Sequence, residues 1–172
     1  FRVIGNRNIE YSLCIKSSVA DENIEIRNCR LSDAFGGIYL SRSNCLMKNI
    51  VIYNVLSGIE TYDGFLLRYP ILLNSLVIVD DTGGSGSTYR TAFYSHTGGK
   101  PYIANCILLR RVTNPEAFVE GINGSHMGMT VKNNLFGGFT YSISNNDYDS
   151  AIVYNNVFLD KIKTDWGVIF YL

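Results

Sequence analysis

Seven asparagines, Asn6, Asn28, Asn49, Asn74, Asn105, Asn133 and Asn155, recur at intervals of 22, 21, 25, 31, 28 and 22 residues. Each stands in one frame. Two places earlier the residue is always apolar (Ile4, Ile26, Met47, Leu72, Ile103, Val131, Val153), and three places later it is apolar again (Ile9, Leu31, Ile52, Val77, Leu108, Phe136, Phe158). A period this short cannot bury a core by itself, so consecutive units must stack and share one. Few folds satisfy that condition.

Within each period the apolar runs are short and rich in β-branched and aromatic residues. One run precedes the asparagine, as in Ile24–Ile26 and Ala151–Val153, and a second follows it, as in Asn49–Ile52. A third comes about ten residues later, as in Gly37–Leu40 and Tyr141–Ile143. Helical spacing is absent, and Gly, Asn, Asp and Ser mark the breaks. Three short strands per period is the arithmetic of an all-β parallel β-helix, a solenoid of about seven three-strand coils about 4.8 Å apart. Parallel crossovers favour a right-handed path.

The asparagine then has a physical reason. Asn tolerates left-handed backbone at a tight corner, and its amide can hydrogen-bond the next asparagine in the stack, forming a ladder. A leucine-rich repeat would need a denser leucine pattern and a long connecting segment, and a β-sandwich would not hold one asparagine frame across seven units. The expectation is one β-helix domain over residues 1–172. The opening at Phe1 and the strand-like close Trp166–Leu172 carry no polar cap, which predicts a piece of a longer chain.

The segments Val131–Phe136 (VKNNLF) and Val153–Phe158 (VYNNVF) resemble the coil signature of the pectate-lyase-like right-handed β-helix superfamily. The resemblance covers essentially the whole chain and is specific for fold rather than activity. Its members include pectate and alginate lyases, polygalacturonases, epimerases, viral tailspikes and bacterial adhesins. It implies an extracellular, cell-surface or virion setting, a polysaccharide lying along the outside of the rod, and, by analogy with tailspikes, a homotrimer or a larger assembly.

Composition excludes other classes. Fifteen basic residues balance fifteen acidic ones, so there is no electrostatic footprint for nucleic acid or an anionic membrane. No apolar run approaches the roughly 18 residues of a membrane-spanning helix, so no membrane insertion is expected. The four cysteines form no C-x-x-C pair; Cys29 and Cys106 directly follow ladder asparagines and read as buried thiols packing as small hydrophobes. Asn123–Ser125 is a glycosylation sequon or an ordinary Asn-Gly turn. Gly83–Thr88 lacks the Gly-Lys-Ser/Thr ending of a phosphate loop and has Thr88 where a calcium-binding nonapeptide needs Asp. The polygalacturonase motif series cannot be assembled, and no pectate-lyase catalytic motif is matched.

Chemistry is expected where the period stretches. Against a coil of about 22 residues, the Asn74–Asn105 interval carries about nine extra residues and Asn105–Asn133 about six, and insertions on one face of a solenoid commonly form its binding surface. The first region holds Asp80, Asp81, Tyr89, Arg90, His96 and Lys100; the second holds Arg110, Arg111, Glu116, Glu120 and His126. For a uronate lyase, Asp80 and Asp81 would supply oxygen ligands for calcium, and Lys100, Arg110 or Arg111 would be the base. For hydrolysis, Asp81 and Glu120 would act as acid and base. Asp80, Tyr89, Arg90, His96, Lys100 and His126 would contact the polymer. Phe118, Phe136 and Phe158 fit inward stacking, whereas Tyr62, Tyr69, Tyr89, Tyr94 and Tyr141 lie nearer polar faces, where rings stack on sugars. These readings favour a polysaccharide-binding module of the tailspike, fibre or adhesin kind. A lyase or glycoside hydrolase acting on an acidic polysaccharide, and a purely structural spacer, are the competing expectations.

Overall fold

The computed structural model describes residues 2–5, 12–18, 23–62, 68–81, 90–96, 99–124, 128–145, 151–159 and 168–171. Every strand pairing among them is parallel, and each strand pairs with its equivalent one coil away. The result is a parallel β-solenoid with three faces. The first face, before each ladder asparagine, stacks Asn23–Arg27, Asn44–Lys48, Ile71–Leu73, Tyr102–Ala104, Thr130–Lys132, Ala151–Tyr154 and Val168–Tyr171. The second face follows the asparagine. The third comes after a bend, as in Thr91–Ser95, Glu120–Gly124 and Tyr141–Asn145. In two coils a single long strand, Arg30–Ser41 or Val51–Tyr62, runs through both of these faces.

Among the described residues five coils present all three faces, with partial coils on either side. That is fewer than the seven counted from asparagines. Asn6 lies outside the described residues, and Asn155 is followed by Val157–Phe158, after which residues 160–167 are not described.

The core is built from the columns that the sequence frame marks. Ile26, Met47, Leu72, Ile103, Val131 and Val153 align in successive registers. So do Leu31, Ile52, Val77, Leu108, Phe136 and Phe158. A third column, Ile38, Ile59, Phe93, Ile122 and Ile143, lines the third face. All of these but Phe158 are buried, and Phe136 and Phe158 stack with centroids 5.0 Å apart.

The corner between the first two faces is the asparagine ladder. Asn28, Asn49, Asn74, Asn105, Asn133 and Asn155 all have φ between 49° and 55°. Asn49 Nδ2 donates to Asn28 Oδ1 at 3.0 Å, Asn105 to Asn74 at 3.2 Å, and Asn133 to Asn105 at 3.1 Å. The next position turns inward and mends the backbone of the corner. Ser75 Oγ accepts from Ile50 N, Asn134 Oδ1 accepts from Cys106 N, and Asn156 Oδ1 accepts from Asn134 N. Polar groups at a buried corner are thereby satisfied.

The second corner explains where the insertions enter. Five residues after the ladder asparagine, short coils turn on a positive-φ residue: Asp33, Asn54 or Gly138. The two long coils have Val79 and Arg110 there instead, and their strands run on through Asp80 and Arg111. Without a residue suited to the tight corner the chain stays extended, and the extra length leaves from that point.

The outer side of the second face is apolar from Val51 onward, the preceding rungs of the same column being Arg30 and Arg2. One outward column is Val51, Leu76, Ile107, Leu135 and Val157. Beside it run Ile78, Leu109 and Gly137, with the Leu109 and Leu159 side chains closing over Gly137.

Candidate functional site

The strongest polar cluster sits at the second corner of the long coils. Asp81 and Arg110 are both buried. Arg110 donates to Asp81 Oδ2 through Nε at 3.1 Å and Nη2 at 2.8 Å, and to the carbonyls of Asn114 (2.5 Å) and Gly138 (3.3 Å). The Asp81 carboxylate also accepts from the backbone amides of Thr113 and Asn114, at 2.8–3.0 Å, and from the Thr113 hydroxyl. Burial pushes the Asp81 carboxyl up, but the donors from Thr113, Asn114 and Arg110 outweigh it and hold the group well below the usual carboxylate range. The geometry is that of a bracket: Asp81 gathers the start of the 112–119 insertion, and Arg110 neutralises it. Both groups spend their hydrogen-bonding capacity on the protein itself, which leaves neither of them placed as a proton-transferring group toward a polymer.

Asp80 and Arg111 form a neighbouring pair facing the other way. Arg111 Nη2 donates to Asp80 Oδ2 at 2.5 Å and to Asn54 Oδ1 at 3.0 Å; the Asp80 side chain is buried while that of Arg111 is 55 % exposed. Asn54 in turn donates to Asp33. Adjacent in sequence, Asp80 and Asp81 are thus claimed by different arginines rather than converging. Among the described residues no three His, Cys, Asp or Glu side chains gather in a way that could hold a metal ion.

The other expected residues scatter. Glu120 is buried and accepts from Asn123 Nδ2 at 2.5 Å. Arg90 Nη1 donates to the Asp81 carbonyl at 2.7 Å, and Arg90 O accepts from Glu120 N, tying two coils together. Lys100 lies on the first-face side, lining a shallow groove of about 450 Å³ with Tyr69, Tyr102, Thr130 and Ile152. Tyr89 and His126 fall outside the described residues. Phe118, expected inside, is exposed and tilts against Tyr141 at 5.2 Å.

His96 is the expected residue that the fold places in a cluster open to solvent. On the outer third face, register aligns Lys16, Tyr39, Glu60, Tyr94, Asn123 and Ser144 in one column, of which Asn123 and Ser144 are buried. His96 stands at the end of its strand, its amide donating to Thr61 O. Its Nε2 lies 2.7 Å from Glu60 Oε1, and both side chains remain about a third exposed. Two rings flank the imidazole: Tyr94 at 4.0 Å between centroids and Tyr62, edge-on, at 5.3 Å. Tyr39 joins the patch from the preceding coil; burial and then the neighbouring Glu60 carboxylate and Tyr62 phenol push its own phenol up.

Sequence reasoning found His96 and singled out Tyr62 and Tyr94 as near polar faces, but passed over Glu60 and Tyr39. Both sit in regular coils of ordinary length, away from any insertion. The signal that marks them is the column itself, since an outward position occupied by Tyr39, Glu60 and Tyr94 in successive coils is legible once the register is known.

The cysteines play no part in this surface. All four are free. Burial pushes the Cys45 thiol up to about 12 and the Cys106 thiol up to about 11, and Cys106 Sγ donates to Ala104 O. No described helix is long and apolar enough to cross a membrane. No family model, curated protein or solved structure matches the chain.

Proposed function

We propose that this β-solenoid presents a polysaccharide-binding face, built on the third face around Glu60 and His96, within an extracellular, cell-surface or virion protein. The observation that carries this reading is the Tyr62–His96–Tyr94 ring cluster against Glu60. Aromatic rings offer apolar faces to the C–H side of a sugar, while a carboxylate and an imidazole supply an acceptor and a donor for its hydroxyls. Tyr39, Glu60 and Tyr94 hold equivalent outward positions in three successive coils, which suits an extended sugar chain better than a single small molecule. Membership of the pectate-lyase-like superfamily is part of the proposal, supported by the coil frame and its positive-φ asparagines.

Binding rather than turnover is favoured because Asp81 and Arg110, which a hydrolase or lyase reading would use, hold each other in a buried bracket. A glycan array followed by calorimetry on the best ligand tests the reading. Tyr94→Ala and Glu60→Gln should each weaken binding by about tenfold with the fold intact. Absence of any glycan ligand, or binding indifferent to both substitutions, would count against it. Incubation with uronic-acid polymers, with and without calcium, covers the enzymatic alternative: production of unsaturated ends that is lost on substitution of Arg111 would make the protein a lyase.

A further inference from the structure

We propose that the groove on the outer first face is a second binding site, one that takes the uronic-acid units of an acidic sugar chain. Two outward columns build it. Ile71, Tyr102, Thr130 and Ile152 align in successive coils. Two residues before the first three of them stand Tyr69, Lys100 and Gly128, the neighbouring Arg68–Gly99 bridge setting the register. Gly128 has no side chain to fill its place in that second column, and the groove of about 450 Å³ opens across these coils, a volume typical of ligand sites.

The floor is held firmly. Tyr102 N donates to Pro70 O, Thr130 N to Pro101 O and Ile152 N to Met129 O, at 2.8–2.9 Å. Lys132 Nζ sits 5.1 Å from the centre of the Tyr102 ring and 5.9 Å from that of Tyr154, which restrains both rings. Tyr69 is 52 % exposed, and Lys100 also faces solvent. A ligand therefore meets a floor and a ring already in place, which lowers the ordering cost of binding.

Charge decides the occupant. From Ile71–Leu73 onward the described first-face strands contain no Asp or Glu. Neither Lys100 nor Lys132 forms an ion pair among the described residues. Two cations without a protein counter-ion favour an anionic ligand. The Tyr69 and Tyr102 rings beside them suit the C–H face of a sugar, and the Thr130 hydroxyl can exchange hydrogen bonds with its hydroxyls. Single lysines set among rings match one carboxylate per sugar, whereas a densely sulfated chain would call for a cluster of basic residues. The groove lies on a different face from the Glu60–His96 cluster, so this inference does not rest on the reading proposed above.

Calorimetric titration with hexamers of galacturonate, mannuronate and guluronate tests it, in the Glu60→Gln/Tyr94→Ala protein so that the third face does not contribute. At least one hexamer should bind with a dissociation constant below about 1 mM, and more weakly as salt rises. Lys100→Gln and Tyr69→Ala, each added singly at an exposed site, should weaken that binding about fivefold or more with the circular dichroism spectrum unchanged. A neutral galactose hexamer should bind about fivefold more weakly or worse. The inference is overturned if no uronate hexamer binds, if binding ignores both groove substitutions, or if the neutral hexamer binds equally well. Dextran sulfate binding more tightly than every uronate hexamer would overturn the ligand class.

Discussion

Arg110 reaches across one coil to grip Asp81, donating to a single carboxylate oxygen through both Nε and Nη2 at 3.1 and 2.8 Å. Because neither side chain is more than 3 % exposed, removing one partner strands the other. Asp81→Leu or Arg110→Met should each cost about 3–5 kcal/mol of unfolding free energy, and the double variant should cost less than the sum. Arg111→Ala takes an arginine from the buried Asp80 carboxylate, so it should cost about 1–3 kcal/mol, less than either change at the Asp81–Arg110 pair. Urea unfolding of the four proteins measures all of these.

The same bracket makes stability depend on acid. The folded carboxyl of Asp81 is held below its unfolded value, so its contribution is complete above an unfolded pKa of about 4. It is lost as the pH falls from there toward the depressed folded value. Thermal midpoints measured downward from neutral pH should stay level until about pH 5 and then drop, and the drop below about pH 4 should be shallower in a variant lacking Asp81.

Asn105 sits mid-ladder, donating to Asn74 and accepting from Asn133, at a φ of 55°. Asn105→Ala loses both amide bonds and strains the left-handed backbone, at a cost of about 2 kcal/mol. Asn105→Gly loses the bonds but keeps the conformation at ease, so about 1 kcal/mol is expected. Equal costs for the two, by urea unfolding, would show that the backbone conformation contributes nothing.

Gly58 lies where the long Val51–Tyr62 strand bends into the third face. A Cβ there would collide with Ala92 O and meet Val77 Cγ1 at 2.6 Å, neither of which can retreat from a packed core. Gly58→Ala should therefore destabilise by about 3 kcal/mol or more, readable as a fall in the thermal midpoint.

Burial of Cys29, Cys45 and Cys106, with thiols raised well above their ordinary range at the last two, predicts slow alkylation. At pH 8 a thiol-reactive chromophore should titrate all four cysteines promptly in denaturant. In native buffer only Cys14, which is half-buried, should react ahead of global unfolding.

The candidate site was only partly legible beforehand. Stretched intervals drew attention to Asp81, Arg110 and Arg111, yet the same ionic types serve to fasten a loop or to contact a ligand. Nothing in their sequence neighbourhood separates those roles. Glu60, in contrast, belongs to no insertion; it becomes noticeable only beside His96, 36 residues later in the chain.

The sequence by itself determined the stack, the ladder and the buried columns. These rest on a backbone preference of asparagine and on apolar periodicity, both of which are local properties repeated coil after coil. Tertiary structure alone decided which polar residues meet: Asp81 with Arg110, Asp80 with Arg111, Glu60 with His96. Those partners are about 30 residues apart in the chain and about one coil spacing apart in space, so their pairing depends on register and on the path of each insertion, which no local pattern encodes.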